Sequence, residues 1–288
     1  MKSARLMFAL GFVVICGIIA ATGIALRPAP NPAGLANAPR MPPATWPDYS
    51  VGGAGFVTPA LPDGDMIAYG YRLIAETFAV IGPEVSDPAQ RFAGNNLACR
   101  NCHLDAGTSR TAMPLVGIVR TFPKYSERDQ RVISLVERIN ECMTRSMNGR
   151  ELPGASREMA GFLAFLRYVG EPAAVHAEPA PAAALPPDAA RGAEVYAATC
   201  AACHGVDGLG KRNGPIGDAR GYQFPPLWGS DSFNDGAGMD RYPRIVGFVQ
   251  RNMPRGVDPQ HPILTLQQAW DVSAYVISKP RPHYDTRR

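Results

Sequence analysis

Lysine is scarce in this 288-residue chain, occurring only at Lys2, Lys124, Lys211 and Lys279, so arginine carries nearly all the positive charge. The net charge is only +4 and no basic stripe appears, which argues against a nucleic-acid partner. Strand-like alternation of any length is also missing, which excludes a sandwich or barrel. Outside two Cys-x-x-Cys-His runs there are no further cysteines or histidines at paired spacing, as a zinc site would need. What remains is globular in composition, 46% hydrophobic against 19% charged. Its 29 glycines and 28 prolines call for long loops and short helices.

Lys2 and Arg5 precede an apolar run from Leu6 to Leu26. A charged start followed by an Ala/Gly-rich apolar end is expected for a signal peptide, with cleavage near Ala25. Left uncleaved, the same run is long enough to anchor the chain in a membrane. Residues 1–26 are therefore assigned to export, which places the rest in the periplasm. Two Pro/Ala-rich stretches follow, 27–45 and 171–187, and the second reads as a linker stiffened toward polyproline geometry. They bound a first domain at 46–170 and a second at 188–280, leaving a tail at 281–288.

The two domains share a pattern. Each opens with a short helix holding glycine and tyrosine, at Asp65–Thr77 and Asp188–Thr199. Each then carries Cys-x-x-Cys-His, and each closes on an aromatic helix, Arg157–Val169 and Leu264–Ile277. Two cysteines three apart on a helical turn can each add to a haem vinyl group, and the next histidine can reach the iron. Cys99, Cys102 and His103 thus mark one covalent haem c, and Cys200, Cys203 and His204 a second. The expected fold is all-α, with two tandem cytochrome c-type domains and long loops. Gly192, Tyr196 and Cys200 recur every four residues, which is expected to bring the second domain's opening helix close to its haem-binding turn.

Each iron has a second axial position, whose ligand decides between electron transfer and chemistry. In the second domain the candidates are Met239, Met253 and His261. Met253, in Asn252-Met253-Pro254 before the final helix, stands where cytochromes c place their methionine. In the first domain the candidates are Cys142, Met113, Met143 and Met147. With four of six cysteines used by haem and Cys16 leaving with the signal, Cys142 has no disulfide partner. On a helix drawn over Arg131–Ser146, Arg131, Ser134, Arg138, Cys142 and Arg145 fall within about 80° of arc. Guanidinium groups there favour the thiolate, the form that binds metal and attacks electrophiles.

The stretch from Arg138 to Gly149 (RINECMTRSMNG) resembles the signature of thiosulfate dehydrogenases, dihaem enzymes that form tetrathionate. The stretch from Phe224 to Met239 (FPPLWGSDSFNDGAGM) and Asn252-Met253-Pro254 resemble the same family's second domain. The resemblance implies a catalytic first haem held by His103 and Cys142, and a second, held by His204 and Met253, that passes electrons to an external acceptor such as a small c-type cytochrome. Asn252 stands where some relatives carry a lysine that competes for the iron. Arg128 and Arg138 best match the arginines of the family's substrate pocket, while Arg131 and Arg145 are candidates from the helical face alone. The implied reaction joins two thiosulfates into tetrathionate and releases two electrons. Two other readings use the same residues: the reverse reaction, tetrathionate reduction, and a non-catalytic dihaem carrier in which Cys142 is only a ligand.

Overall fold

Helix formation follows the capping residues and apolar spacing, and eight helices are present among the described residues. The structure is a computed structural model that describes residues 56–170 and 180–285. The export segment at 1–26, the 27–45 stretch and much of the 171–187 linker lie outside the described residues. No described helix is long and apolar enough to cross a membrane.

The first half contains α1 (Gly64–Ala75), α2 (Thr77–Val80), α3 (Leu135–Arg145) and α4 (Arg157–Tyr168). The second contains α5 (Ala189–Thr199), α6 (Ala201–His204), α7 (Arg244–Asn252) and α8 (Leu266–Ile277). Four of these lie within two residues of the expected helix ends. Two antiparallel ribbons, β1 (Lys124–Ser126) with β2 (Arg131–Ile133) and β3 (Lys211–Arg212) with β4 (Tyr222–Phe224), add the only strands among the described residues.

Each half is built on one close helix crossing. A Cβ added to Gly70 of α1 would lie 2.0 Å from the Gly161 carbonyl oxygen of α4. One added to Gly192 of α5 would lie 2.0 Å from the Asp271 carbonyl oxygen of α8. Gly192 therefore serves the contact with the closing helix, not the expected contact with the haem-binding turn. Tyr196 makes that second contact instead: its hydroxyl donates to the carbonyl of Gly205, next to His204, at 2.6 Å. Both crossings place a Cys-x-x-Cys-His turn beside the paired helices.

The α3 region corrects one expectation. Ser134 caps the helix in a box with Glu137: the Ser134 hydroxyl accepts from the Glu137 amide at 3.2 Å, and the Glu137 carboxylate accepts from the Ser134 amide at 2.7 Å. Arg131 falls outside the helix, at an exposed position of β2, where it pairs with Glu137 at 2.5 Å. Gln130 with φ 53° turns the chain just before it. Only Arg138, Cys142 and Arg145 remain of the proposed cationic helical face.

The described residues, 56–170 and 180–285, belong to one unit, and a single apolar cluster runs through both halves. Polar bonds reinforce the join. The Asn96 amide donates to Asp231 (2.9 Å), Asn234 Nδ2 donates to the Thr144 carbonyl (2.9 Å), and Arg212 pairs with Glu84 (2.6 Å). The end of the proline-rich stretch also packs here, since Ala180 is buried and Trp270 Nε1 donates to the Pro181 carbonyl at 3.0 Å.

Candidate active site

In both halves the same turn presents the histidine. The His103 amide donates to the Cys99 carbonyl (2.9 Å) and the His204 amide to the Cys200 carbonyl (3.0 Å). His103 Nδ1 then donates to the Met113 carbonyl at 2.6 Å, and His204 Nδ1 to the Pro225 carbonyl at 2.8 Å. A carbonyl can only accept, so the ring proton sits on Nδ1 and Nε2 keeps its lone pair for a metal. Burial holds both imidazoles neutral, pushing His103 down to about 4 and lowering His204, while the carbonyl bonds act the other way.

The cysteines fit covalent attachment. Among the described residues Cys99, Cys102, Cys142, Cys200 and Cys203 are all free thiols. Burial pushes Cys99 and Cys200 up to about 11 and Cys102 to about 12, so these buried thiols stay protonated while unattached. Thr77 holds Cys99 in place: its hydroxyl donates to the Leu73 carbonyl (2.6 Å) and accepts from the Cys99 amide (3.1 Å).

Beside the first turn lies a cavity of about 530 Å³, within the range of small-molecule and cofactor sites. Cys99, Cys102 and His103 form one side, and Arg138, Cys142 and Met143 of α3 another. The wall is completed from the second half by Phe233, Met239, Arg241, Tyr242, Arg244 and Arg251. A largely apolar space holding two thiols, a metal-ready imidazole and Cys142 suits a porphyrin bound through both thioether bonds.

Cations gather around Cys142. The electrostatic interaction with Cys142 is the largest influence raising Arg138, whose Nη1 is 2.8 Å from Glu141 Oε2. Burial lowers Arg244, and Arg138 lowers it further, while Cys142 acts in the opposite direction. Lys124 of β1 lines the same cavity and is lowered by burial and then by Arg138 and Arg244. Arg138 already has Glu141 as a counter-charge, and the repulsion that remains at Arg244 and Lys124 favours binding of a further anion.

Not every expected residue reaches this space. Arg128 stands outside the cavity wall and donates from Nη1 to the Gly236 carbonyl at 2.9 Å. Arg145 is buried between Glu141 (3.0 Å) and Asp129 (3.5 Å), with Tyr284 beneath its guanidinium. Met113, Met143 and Met147 all line the cavity. Met239, expected as a second-domain alternative to Met253, lines this first cavity too. His261 is exposed beside Asp258. Met253 is half-buried immediately after α7, its amide donating to the Val249 carbonyl at 3.0 Å. Lys124, Arg241 and Arg244 were not anticipated. The one available signal for the two arginines was Arg241-Tyr-Pro-Arg244, directly after the stretch ending at Met239.

These features define a chain with two cytochrome c domains that binds haem c in each. The SoxA/TsdA cytochrome c domain family matches residues 89–174, and the cytochrome c family matches residues 189–279. The thiosulfate dehydrogenase of Allochromatium vinosum is 40% identical over 237 residues, covering 77% of this chain and 82% of that protein. The thiosulfate dehydrogenase of Stutzerimonas stutzeri is 35% identical over 226 residues, covering 76% of this chain and 71% of that one. The solved thiosulfate dehydrogenase (TsdBA) of Marichromatium purpuratum, in its as-isolated form, superposes with a TM-score of 0.68 at 32% identity. That match covers 81% of this chain, which spans about half, 49%, of the solved one. The chain belongs to the thiosulfate dehydrogenase family and is an enzyme.

Proposed function

We propose that this enzyme oxidises two thiosulfates to tetrathionate at the cavity shared by His103 and Cys142, and passes two electrons to an external acceptor. The observation that supports the reading is that Cys142, Arg138, Arg244 and Lys124 line one cavity together with Cys99, Cys102 and His103. In this reading Cys99 and Cys102 would attach the first haem, and His103 and Cys142 would hold its iron. Cys200 and Cys203 would attach the second, whose iron His204 and Met253 would hold. Bound haem supplies one-electron oxidation and a route outward for the electrons.

The protein's own part is electrostatic and nucleophilic. Two dianions about 5 Å apart at an effective dielectric near 20 repel by on the order of 10 kcal/mol. Fixed guanidinium and ammonium groups offset that repulsion without reorganising. Arg138 and Arg244 offer forked donors to the sulfonate oxygens, and Lys124 offers a point charge. Arg128 supports the wall through Gly236.

The Cys142 thiolate bonds to the outer sulfur of one thiosulfate, giving a cysteinyl S–S–sulfonate as two electrons leave. The outer sulfur of a second thiosulfate then attacks the outer sulfur of that adduct. The Cys142–sulfur bond breaks, tetrathionate departs, and the thiolate returns unchanged. No proton is consumed in either step.

The charged start and apolar run at 1–26 support an exported, periplasmic enzyme, and a small c-type cytochrome there would suit the acceptor role. Incubation of the holoenzyme with thiosulfate and ferricyanide tests the reaction. One tetrathionate per two thiosulfates and two ferricyanides is expected, and a pure carrier would give no tetrathionate. Running the assay from tetrathionate with a low-potential donor measures the reverse direction.

A further inference from the structure

Asn252 is the last residue of α7 and is buried, 6% exposed, between the two halves. Its side chain is satisfied at both ends. Nδ2 donates to the Phe248 carbonyl at 2.9 Å and to the Thr111 carbonyl at 3.2 Å, while Oδ1 accepts from the Thr111 hydroxyl at 2.7 Å. Thr111 lies on the wall of the first cavity, two residues before Met113, whose carbonyl orients His103. Met253 is the next residue along the chain from Asn252.

We infer that Asn252 is a positioning residue that fixes Met253 against the first half and ties the axial residues of the two haems together. The inference rests on reading His103 and Met253 as axial residues. From Met253 the connection runs through one peptide bond to Asn252, across the paired bonds to Thr111, and along two residues to the carbonyl that holds His103. Residues behind a ligand fix its orientation and tune the metal. A displacement of the 111–113 segment is therefore felt at Met253, and the reverse.

The chemistry of the site demands an amide. It must donate to two carbonyls and accept from one hydroxyl, and only a carboxamide does both at this length. Aspartate at 252 would set carboxylate oxygen against the carbonyls of Phe248 and Thr111. Leucine would leave both carbonyls and the Thr111 hydroxyl unpaired. Valine at 111 removes only the hydroxyl and leaves the fold of α7 untouched.

The test uses the full-length holoprotein with both haems loaded, as wild type, Asn252→Asp, Thr111→Val and Met253→Ala. The readouts are the far-red charge-transfer band of methionine-ligated ferric haem, the oxidised-to-reduced ratio of that haem at a fixed potential, and thermal stability. Met253→Ala should abolish the band, and a band that survives it overturns the assignment of Met253 itself. Given that assignment, Asn252→Asp should weaken the band and shift the ratio about tenfold toward the oxidised form, or ~59 mV for a one-electron couple. Thr111→Val should move both in the same direction by less. If both variants lose thermal stability but keep the wild-type band and ratio, Asn252 is only structural and the inference is overturned. Should Asn252→Asp fail to load haem, Thr111→Val decides alone by the same criterion.

Discussion

Arg244 and Cys142 line one cavity and interact electrostatically, although one opens α7 of the second half and the other lies in α3 of the first. Arg244→Gln should therefore behave as a substrate-site variant. A charge-assisted contact contributes about 1.5–3 kcal/mol, so kcat/KM for thiosulfate should fall roughly 10- to 150-fold, mainly through KM. Steady-state rates at low and high salt check this, and the variant should show the weaker salt dependence. Arg128→Gln, tied to the Gly236 carbonyl, should lower the melting temperature and leave KM nearly unchanged.

Cys142→Ala should load both haems, because neither attachment turn uses that thiol. Tetrathionate formation should fall by on the order of 10⁶-fold, as for the loss of a nucleophile from a working group of residues. Spectra should change for one haem and stay constant for the other. Full turnover in this variant would remove Cys142 from the chemistry.

Gly70→Ala and Gly192→Ala should each destabilise the protein, since the added methyl would meet carbonyl oxygen at 2.0 Å in both cases. Overpacking of this kind costs about 1–3 kcal/mol, and separating the helices exposes further surface. Denaturant midpoints measure the loss. Gly154→Ala, with nothing near its Cβ position, is the control and should shift the midpoint little.

Asp271 links α8 to the start of α5. Its carboxylate accepts from the Asp188 amide (2.9 Å), from Arg191 Nε and Nη2 (both 2.8 Å) and from Gln267 (3.0 Å). Burial alone would push this carboxyl up, but Arg191 and the two amides outweigh it and hold it below the usual carboxylate range. A depressed folded-state value contributes stability that is complete above the unfolded value, about 3.9, and disappears as pH falls through the folded value. Asp271→Asn should thus be less stable than wild type by about 2 kcal/mol near neutral pH. That difference should narrow steadily below about pH 4. Thermal melts across that range decide it, and a gap that widens in acid would refute the assignment.

The attachment turns and the four crossing helices were legible in the sequence because their signals are local. Cys-x-x-Cys-His is a spacing on one turn, and helices such as Arg157–Tyr168 carry apolar residues at helical intervals. The α3 boundary was also legible in principle, since Ser134 and Glu137 form a capping box. Its signal was overridden by charge periodicity that continued back through Arg131. The part of the cavity wall that the second half contributes was not legible. Arg244 and Met239 reach the first site only because the halves share one core, and no spacing along the chain records that contact. Met239 looked like a ligand of its own domain for the same reason.

The wall contributed by Phe233, Met239 and Arg241–Arg244 makes the first haem site a joint product of both halves. Anything that binds only the assembled site stabilises the assembled form. Filling of the first site and docking of the halves are therefore thermodynamically linked, and loosening the second half's packing should cost the first site its wall even where Cys99, Cys102 and His103 are intact.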